Sequence, residues 1–282
     1  MPLRVTHLEY QPAPDLRPYI DSFWVSDAPQ SDYNACGFWP DPYVDVIVSC
    51  GAPLYLCDNF GAREALPRVF INGLHLKPHR MWASGHAQIV AVRLYAWGVA
   101  PLLTSQTSQS TAGCVGLDEA WQQAGSVVTA QVQKYGYESG VATLEAFVRD
   151  TFERPDASVS ADTAPLQSAA RLLYTTNGAA RIADVARVSY LSASALEKRF
   201  KLMLGVSPKT FARLIRFWAS CEDLASDPAR PSVELAQMLG YTDQAHLYHE
   251  FKALGELTPR EFVARVQANY TAWKPNEFLQ YA

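Results

Sequence analysis

"LSASALEKRFKLMLGVSP", Leu191 to Pro208, reads as one capped helix and the start of the next. Ser192 stands where an N-cap belongs, Gly205 where a helix ends, and Ser207-Pro208 where another begins. Leu196 and Phe200 lie on one helical face. A looser copy, "YTDQAHLYHEFKALGELTP", runs from Tyr241 to Pro259. At an offset of 51, Leu196 matches Leu247, Phe200-Lys201 matches Phe251-Lys252, Ser207-Pro208 matches Thr258-Pro259, and Phe211 matches Phe262. Val185-Ala186 matches Leu235-Ala236 at an offset of 50, because the second turn carries one extra residue. Gly255 falls one place before the position that Gly205 predicts. A short helix with a small alanine, a tight turn and a longer capped helix is helix-turn-helix grammar. Core spacing in a helical bundle explains one such copy; it does not explain two with matched caps. A long helix from about 208 to 224, ending before Asp227-Pro228, joins them.

Residues 165–268 resemble the AraC/XylS family of bacterial transcription regulators through "DVARVSYLSASALEKRFKLMLGVSPKTF" and "ELAQMLGYTDQAHLYHEFKALGELTPREF". The resemblance implies two helix-turn-helix units whose recognition helices enter adjacent major grooves of double-stranded promoter DNA. A connecting helix of this length spans roughly 25 Å, against about 34 Å between successive grooves on one face. Base readout is expected from Ser194, Glu197 and Lys198 in the first unit and from Gln244, Ala245, His246, Tyr248 and His249 in the second. Lys198 suits guanine O6/N7, Glu197 cytosine N4 and Gln244 adenine N6/N7. Phosphate contacts are expected from Arg199, Ser207, Lys209 and Arg213. Glu197 also reads as a solvated charge steadying Lys198 or Lys201, and Tyr248 and His249 as surface packing. The second recognition helix lacks Arg and Lys at its reading positions, which points to a homodimer for tight binding. RNA polymerase is a further expected partner.

The net charge of −4 argues by itself against a nucleic-acid binder, but its distribution does not. Residues 165–268 carry 13 Lys+Arg and 10 Asp+Glu; residues 1–164 carry 10 and 17. The hydrophobic fraction of 49% is ordinary for a globular chain of two domains. No run approaches the ~20 apolar residues of a membrane span, and no secretory signal opens the sequence. The cysteines, Cys36, Cys50, Cys57, Cys114 and Cys221, are odd in number and lack C-x-x-C spacing, so free thiols in the cytoplasm are expected.

The front half turns from β texture to helical texture. "YVDVIVSC" (43–50), "APLYLCD" (52–58), "RVFINGLH" (68–75) and "AQIVAVRLYAW" (87–97) suit a small antiparallel barrel or sandwich. From Asp118 to Phe152 the period becomes 3.6. "LRPYIDSFWV", "WPDPYVDVIVSCG", "INGLHLKPHR" and "IVAVRLYAWGVAPLL" resemble the cupin-like sensor domain of the same regulators. The expected fold is therefore α+β. A cupin-like domain with a helical second half takes residues 1–153, a linker 154–165, an all-α DNA-binding domain 166–268 and a tail 269–282, with Pro165 opening the first helix after the linker.

Asp45 and Arg93 are charges inside apolar strand runs, where an unpaired charge is costly. They read as a mutual ion pair, or as polar anchors of a small-molecule effector pocket walled by Trp39, Tyr43, Trp82 and Tyr95. His75, His79 and His86 offer no His-x-His, and the His75/His79 spacing does not put two ligands on one strand face. No metal, cofactor or catalytic group is expected, and no phosphate loop or nucleophile elbow occurs. The whole reads as a ligand-responsive DNA-binding regulator. The alternatives are a front half that only dimerises, or a cupin-type enzyme fused to a DNA-binding domain.

Overall fold

Strand alternation sorts the front half into two faces. The computed structural model describes residues 6–29, 37–58, 61–102, 113–153 and 160–268. A six-stranded antiparallel sheet has the order β1 (Thr6–Tyr10), β2 (Ile20–Ala28), β9 (Ala87–Tyr95), β4 (Tyr43–Ser49), β7 (Val69–Asn72), β10 (Cys114–Gly116). A four-stranded sheet has the order β3 (Gly37–Phe38), β8 (His79–Ala83), β5 (Leu54–Cys57), β6 (Arg63–Ala65). Val44, Val46, Val48, Val90 and Val92 join the core under α1 (Glu119–Tyr135) and α2 (Tyr137–Glu153). Their neighbours Ile47, Ile89 and Ala91 pack with Met81 and Ala83 between the sheets. The period of two places one valine set under the helices and the other set inside the sandwich. β1 was not among the runs singled out in the sequence, and β2 was quoted only in part, within "LRPYIDSFWV", for its resemblance and not as a strand. β2 is buried on both faces along most of its length, which erases the alternation that marks a half-buried strand.

The rear half is helical throughout: α3 (Ser160–Thr175), α4 (Ile182–Val188), α5 (Ala193–Leu204), α6 (Pro208–Ser226), α7 (Ser232–Met238), α8 (Gln244–Glu250) and α9 (Pro259–Ala268). The first of these corrects an expectation. Pro165 lies inside α3 and does not open it, so the expected linker 154–165 is helical from Ser160. Pro165 is the sixth residue of this helix, which forgoes one intrahelical bond there. Residues 154–159 and the tail 269–282 lie outside the described residues.

Caps explain why the repeated Ser/Thr-Pro steps recur. Ser207 accepts a hydrogen bond from the Thr210 amide, with Pro208 in the first turn of α6. Thr258 accepts from the Glu261 amide while Glu261 accepts from the Thr258 amide, a capping box that opens α9. Ser192 caps α5 and Asp243, its match at offset 51, caps α8. The helix after α8 widens to a π turn over Phe251–Gly255. There a Cβ on Gly255 would lie 3.1 Å from the Phe217 ring, which is why glycine stands one place early.

α6 is buried along most of its length and serves two cores. Phe211 packs against Phe200 of the first unit at 5.8 Å between ring centroids. Phe217 packs against Phe251 of the second at 5.1 Å. Cys221 and Leu224 complete the second core. Phe211→Leu and Phe217→Leu are each expected to cost about 1–2 kcal/mol in urea unfolding. Their effects are expected to add within about 0.5 kcal/mol, because the cores share no contact between these rings. A coupling above about 1 kcal/mol means that the two units share one core.

Candidate nucleic-acid interface and the contact between halves

The two helix-turn-helix turns are closed by matched backbone bonds. The Leu191 amide donates to the Ala186 carbonyl at 3.0 Å, and that of Tyr241 to Ala236 at 2.9 Å. Val185, Ala186, Leu235 and Ala236 are all buried, so the alanines let each short helix lie close to its recognition helix. On α5 the side chains of Ser194, Glu197 and Lys198 are exposed; on α8 those of Gln244, Ala245 and His249 are exposed, while His246 and Tyr248 are half-buried. Glu197 pairs with Lys201 at 2.8 Å. Lys198 and Lys209 are exposed and Arg199 is half-buried.

Two residues expected at phosphates have other work. Ser207 spends its hydroxyl on the α6 cap, where it also meets the Thr210 hydroxyl at 2.9 Å. Arg213 donates from Nε to both carboxylate oxygens of Glu250, at 3.2 and 3.0 Å, and so ties α6 to the end of α8. The sequence also left Arg216 unremarked. It donates to the Gly178 carbonyl at 2.6 Å and to the Gly240 carbonyl at 3.5 Å, linking the end of α3 to the second turn. A fork of five donors suits such bridging. Nothing in the local pattern separates an internal arginine from an outward one.

In the sheet domain, Asp45 and Arg93 are cross-strand partners. Arg93 donates to the two Asp45 oxygens at 3.1 and 3.3 Å, and the Trp24 indole donates to Oδ1 at 2.9 Å. Asp45 is 3% exposed, so the pairing answers its desolvation. Arg93 lies 5.2 Å from the Tyr43 ring centroid and 3.9 Å from Asp41. Tyr43 and Tyr95 then meet Tyr174 of α3 at 5.8 and 5.7 Å between ring centroids, and Trp97 meets it at 5.5 Å. The Tyr174 hydroxyl donates to the Pro42 carbonyl, and Tyr174 leans on Phe211 at 5.8 Å. One aromatic cluster thus joins the ion pair to the helix that carries the first core. Tyr174, Trp97 and Asp41 were missed because their role exists only between the halves.

Two proposed pocket residues stand elsewhere. Trp82 faces outward on β8, against Tyr55 at 5.3 Å and under Arg63 at 3.8 Å. Trp39 packs edge-on against Phe262 of α9 at 5.0 Å. The histidines also differ from expectation. His75 and His79 stack at 3.7 Å despite their spacing, because the turn before β8 folds one over the other. Burial lowers His75 to about 4 and, with the neighbouring His75, His79 to about 3, which keeps both rings neutral. His86 is apart from them, on Asp27. Among the described residues no three His, Cys, Asp or Glu side chains gather to hold a metal ion, and no helix is long and apolar enough to cross a membrane. Cys50, Cys57, Cys114 and Cys221 are free thiols; Cys36 lies outside the described residues.

Comparison with known proteins gives two family matches. Residues 185–265 match a family described as a helix-turn-helix domain, and residues 8–116 match a domain of unknown function, DUF6597. No curated protein matches the chain. Among solved structures, the chain is similar to a transcriptional regulator with an AraC-type DNA-binding domain from Chromobacterium violaceum, at 21% identity over 38% of this chain and 95% of that one, with a TM-score of 0.35. It is also similar to apo ToxT from Vibrio cholerae, at 11% identity over 94% of this chain and 97% of that one, with a TM-score of 0.48. Fatty-acid-bound ToxT from the same organism is 12% identical over 93% and 95%, with a TM-score of 0.45.

The contact between the halves titrates. Burial, opposed by Arg93 and reinforced by Asp45, pushes Asp41 up to about 7. Burial likewise raises Asp21, against the pull of Arg93, and Glu222 of α6, against the hydrogen bond from Trp218. A raised carboxyl holds in the folded state a proton that the unfolded chain has released, so stability is withdrawn as pH climbs from about 4 to about 7. Asp41→Asn is expected to melt level with the wild type near pH 4 and above it at pH 8. A melting difference that does not change with pH means that Asp41 is ionised throughout.

Proposed function

We propose that this chain, whose residues 185–265 are an AraC-type helix-turn-helix domain, is a sequence-specific transcription regulator that grips successive major grooves with α5 and α8 and takes its control from the N-terminal half. The observation that carries this reading is the pair of equivalent capped helices, each with an exposed N-terminal face, held apart by a buried α6. α6 supplies the separation and its two arginines supply the angle. Lys198 reads guanine and Gln244 reads adenine, in keeping with the donor and acceptor patterns of the major groove. Glu197 is steadied by Lys201, so it either accepts from cytosine or shapes the charge beside Lys198. Lys209 and Arg199 hold phosphates, as does the N-terminus of α6. α8 offers no lysine or arginine at its exposed start, so tight binding belongs to two protomers.

Control from the front half rests on the aromatic cluster. A small molecule that reorders Tyr43, Tyr95 or the Arg93 pair also changes the seat of Tyr174, and with it the first DNA-binding unit. Such an effector shifts DNA affinity only by its differential affinity for the two arrangements. Asp45 and Arg93 support the seat as an ion pair, and Tyr43 and Tyr95 form the surface a ligand meets.

The test is selection of duplexes from a random pool by the full-length protein, followed by footprinting and a salt series. Protection is expected across two successive major grooves on one face, with affinity falling steeply as salt rises. Lys198→Ala is expected to relax preference at one base pair, costing about 1–3 kcal/mol there, while Lys209→Ala weakens all sequences alike and shallows the salt slope by about one. No binding to any duplex at low salt refutes the proposal. Protection of a single groove assigns the second unit a structural role only.

A further inference from the structure

Three non-glycine residues of the described chain hold a left-handed backbone: Asn177, Tyr190 and Glu256, with φ of 47°, 54° and 56°. Asparagine tolerates this region because its short polar side chain bonds locally. Glu256 stands where Gly205, with φ of 71°, ends the first recognition helix, and its carboxylate meets Lys77 of the sheet domain at 3.4 Å. Tyr190 stands in the turn between α4 and α5, where the second unit has Gly240, also at 71°. The two turns share their geometry: the Tyr190 amide donates to Arg187 at 3.2 Å and that of Gly240 to Gln237 at 3.2 Å. The turn therefore dictates the backbone, glycine suits it, and a bulky residue is strained in it. Among the described residues tyrosine gains nothing in exchange. It is 96% exposed, and its ring and hydroxyl have no partner among the described residues.

Position selects what lies outside. Tyr190 precedes the N-cap Ser192 by two residues, so its Cα lies within about 8 Å of the start of α5. A recognition helix enters a groove about 12 Å wide by its N-terminal end, which leaves a residue just outside that end at the phosphate-lined lip. A phenol donates one hydrogen bond and carries no charge at neutral pH. We infer that Tyr190 is a DNA-backbone contact, its hydroxyl donating to a phosphate oxygen beside the groove that α5 enters. The inference rests on the DNA-binding reading above and adds a neutral contact to its lysines and arginines. It also makes the two units unequal: the first has this anchor, and Gly240 leaves the second without it.

The experiment compares full-length wild type, Tyr190→Gly and Tyr190→Phe on the duplex enriched by selection and on a scrambled duplex, across a salt series, with melting curves for each protein. Tyr190→Gly is expected to melt no lower than wild type, because glycine relieves the turn, yet to bind about 10-fold more weakly. Tyr190→Phe keeps the ring and the strain and loses most of the same affinity. Both losses are equal on the two duplexes, and the slope of log K against log salt is unchanged, because a neutral donor displaces no counterion. A Tyr190→Gly protein that binds as tightly as wild type overturns the contact. Unaltered DNA binding with impaired transcription overturns it too and assigns Tyr190 to a protein partner. Wild type that binds no duplex removes the DNA-binding reading itself, an outcome distinct from loss of this contact alone. If Tyr190→Gly fails to fold, Tyr190→Asn, which tolerates the turn and lacks the phenol, gives the same comparison.

Discussion

Phe211 and Phe217 lie six residues apart on α6 and fill different cores, one with Phe200 and the other with Phe251. The arrangement of the rear half depends on that division. A helix buried on two sides cannot rotate or slide without opening one core, and large voids in a packed interior cost several kcal/mol. The spacing of the two recognition helices is therefore fixed by the interior of α6. The same burial fits the lack of Lys and Arg along "FWASCEDL" in a chain read as a DNA binder. Its surface is largely taken by protein.

The arginines of α6 finish what the phenylalanines begin. Arg213 reaches Glu250 at the end of α8, and Arg216 reaches carbonyls at the ends of α3 and α7. Glu250 is 8% exposed, so its partner also neutralises a charge held away from water. These residues hold the second unit at an angle to the first. A basic count over the region overstates what is free to meet phosphate, because part of it is committed inside.

The halves share one buried apolar cluster, in which Leu94, Trp97 and Val99 join Leu166, Ala169 and Leu173 of α3, and polar and aromatic contacts add to it. Tyr174 bonds to the Pro42 carbonyl and touches Tyr43, Tyr95 and Trp97, while Trp39 reaches Phe262 and Lys77 reaches Glu256 in the second unit. Each helix-turn-helix unit thus has its own contact with the sheet domain. Raised carboxyls at Asp21, Asp41 and Glu222 lie near Arg93, and Arg171 of α3 stands 5.7 Å from the Trp97 ring centroid.

The repeat, the caps and the break between β and helical texture were legible in the sequence because they are local. Ser192, Ser207 and Thr258 cap helices by bonding to amides three residues on. Val44, Val46 and Val48 mark a strand face by alternation alone. Asp45 and Arg93 were conspicuous as charges in apolar runs, and either an ion pair or a pocket fitted them; only the register of β4 against β9 placed them opposite each other. β2, Trp82, Trp39 and the stacked His75 and His79 escaped because burial on both faces, strand orientation and loop folding are set by distant segments. Arg213 and Arg216 escaped for the same reason: a guanidinium looks alike whether it faces a phosphate or a buried carboxylate. The strain at Tyr190 is the reverse case. The sequence left Tyr190 unremarked; only the backbone shows that it and Gly240 sit in equivalent left-handed turns, where a missing Cβ matters. Local chemistry set the elements in this chain, and packing between elements distant in sequence decided which side chains remain free to act.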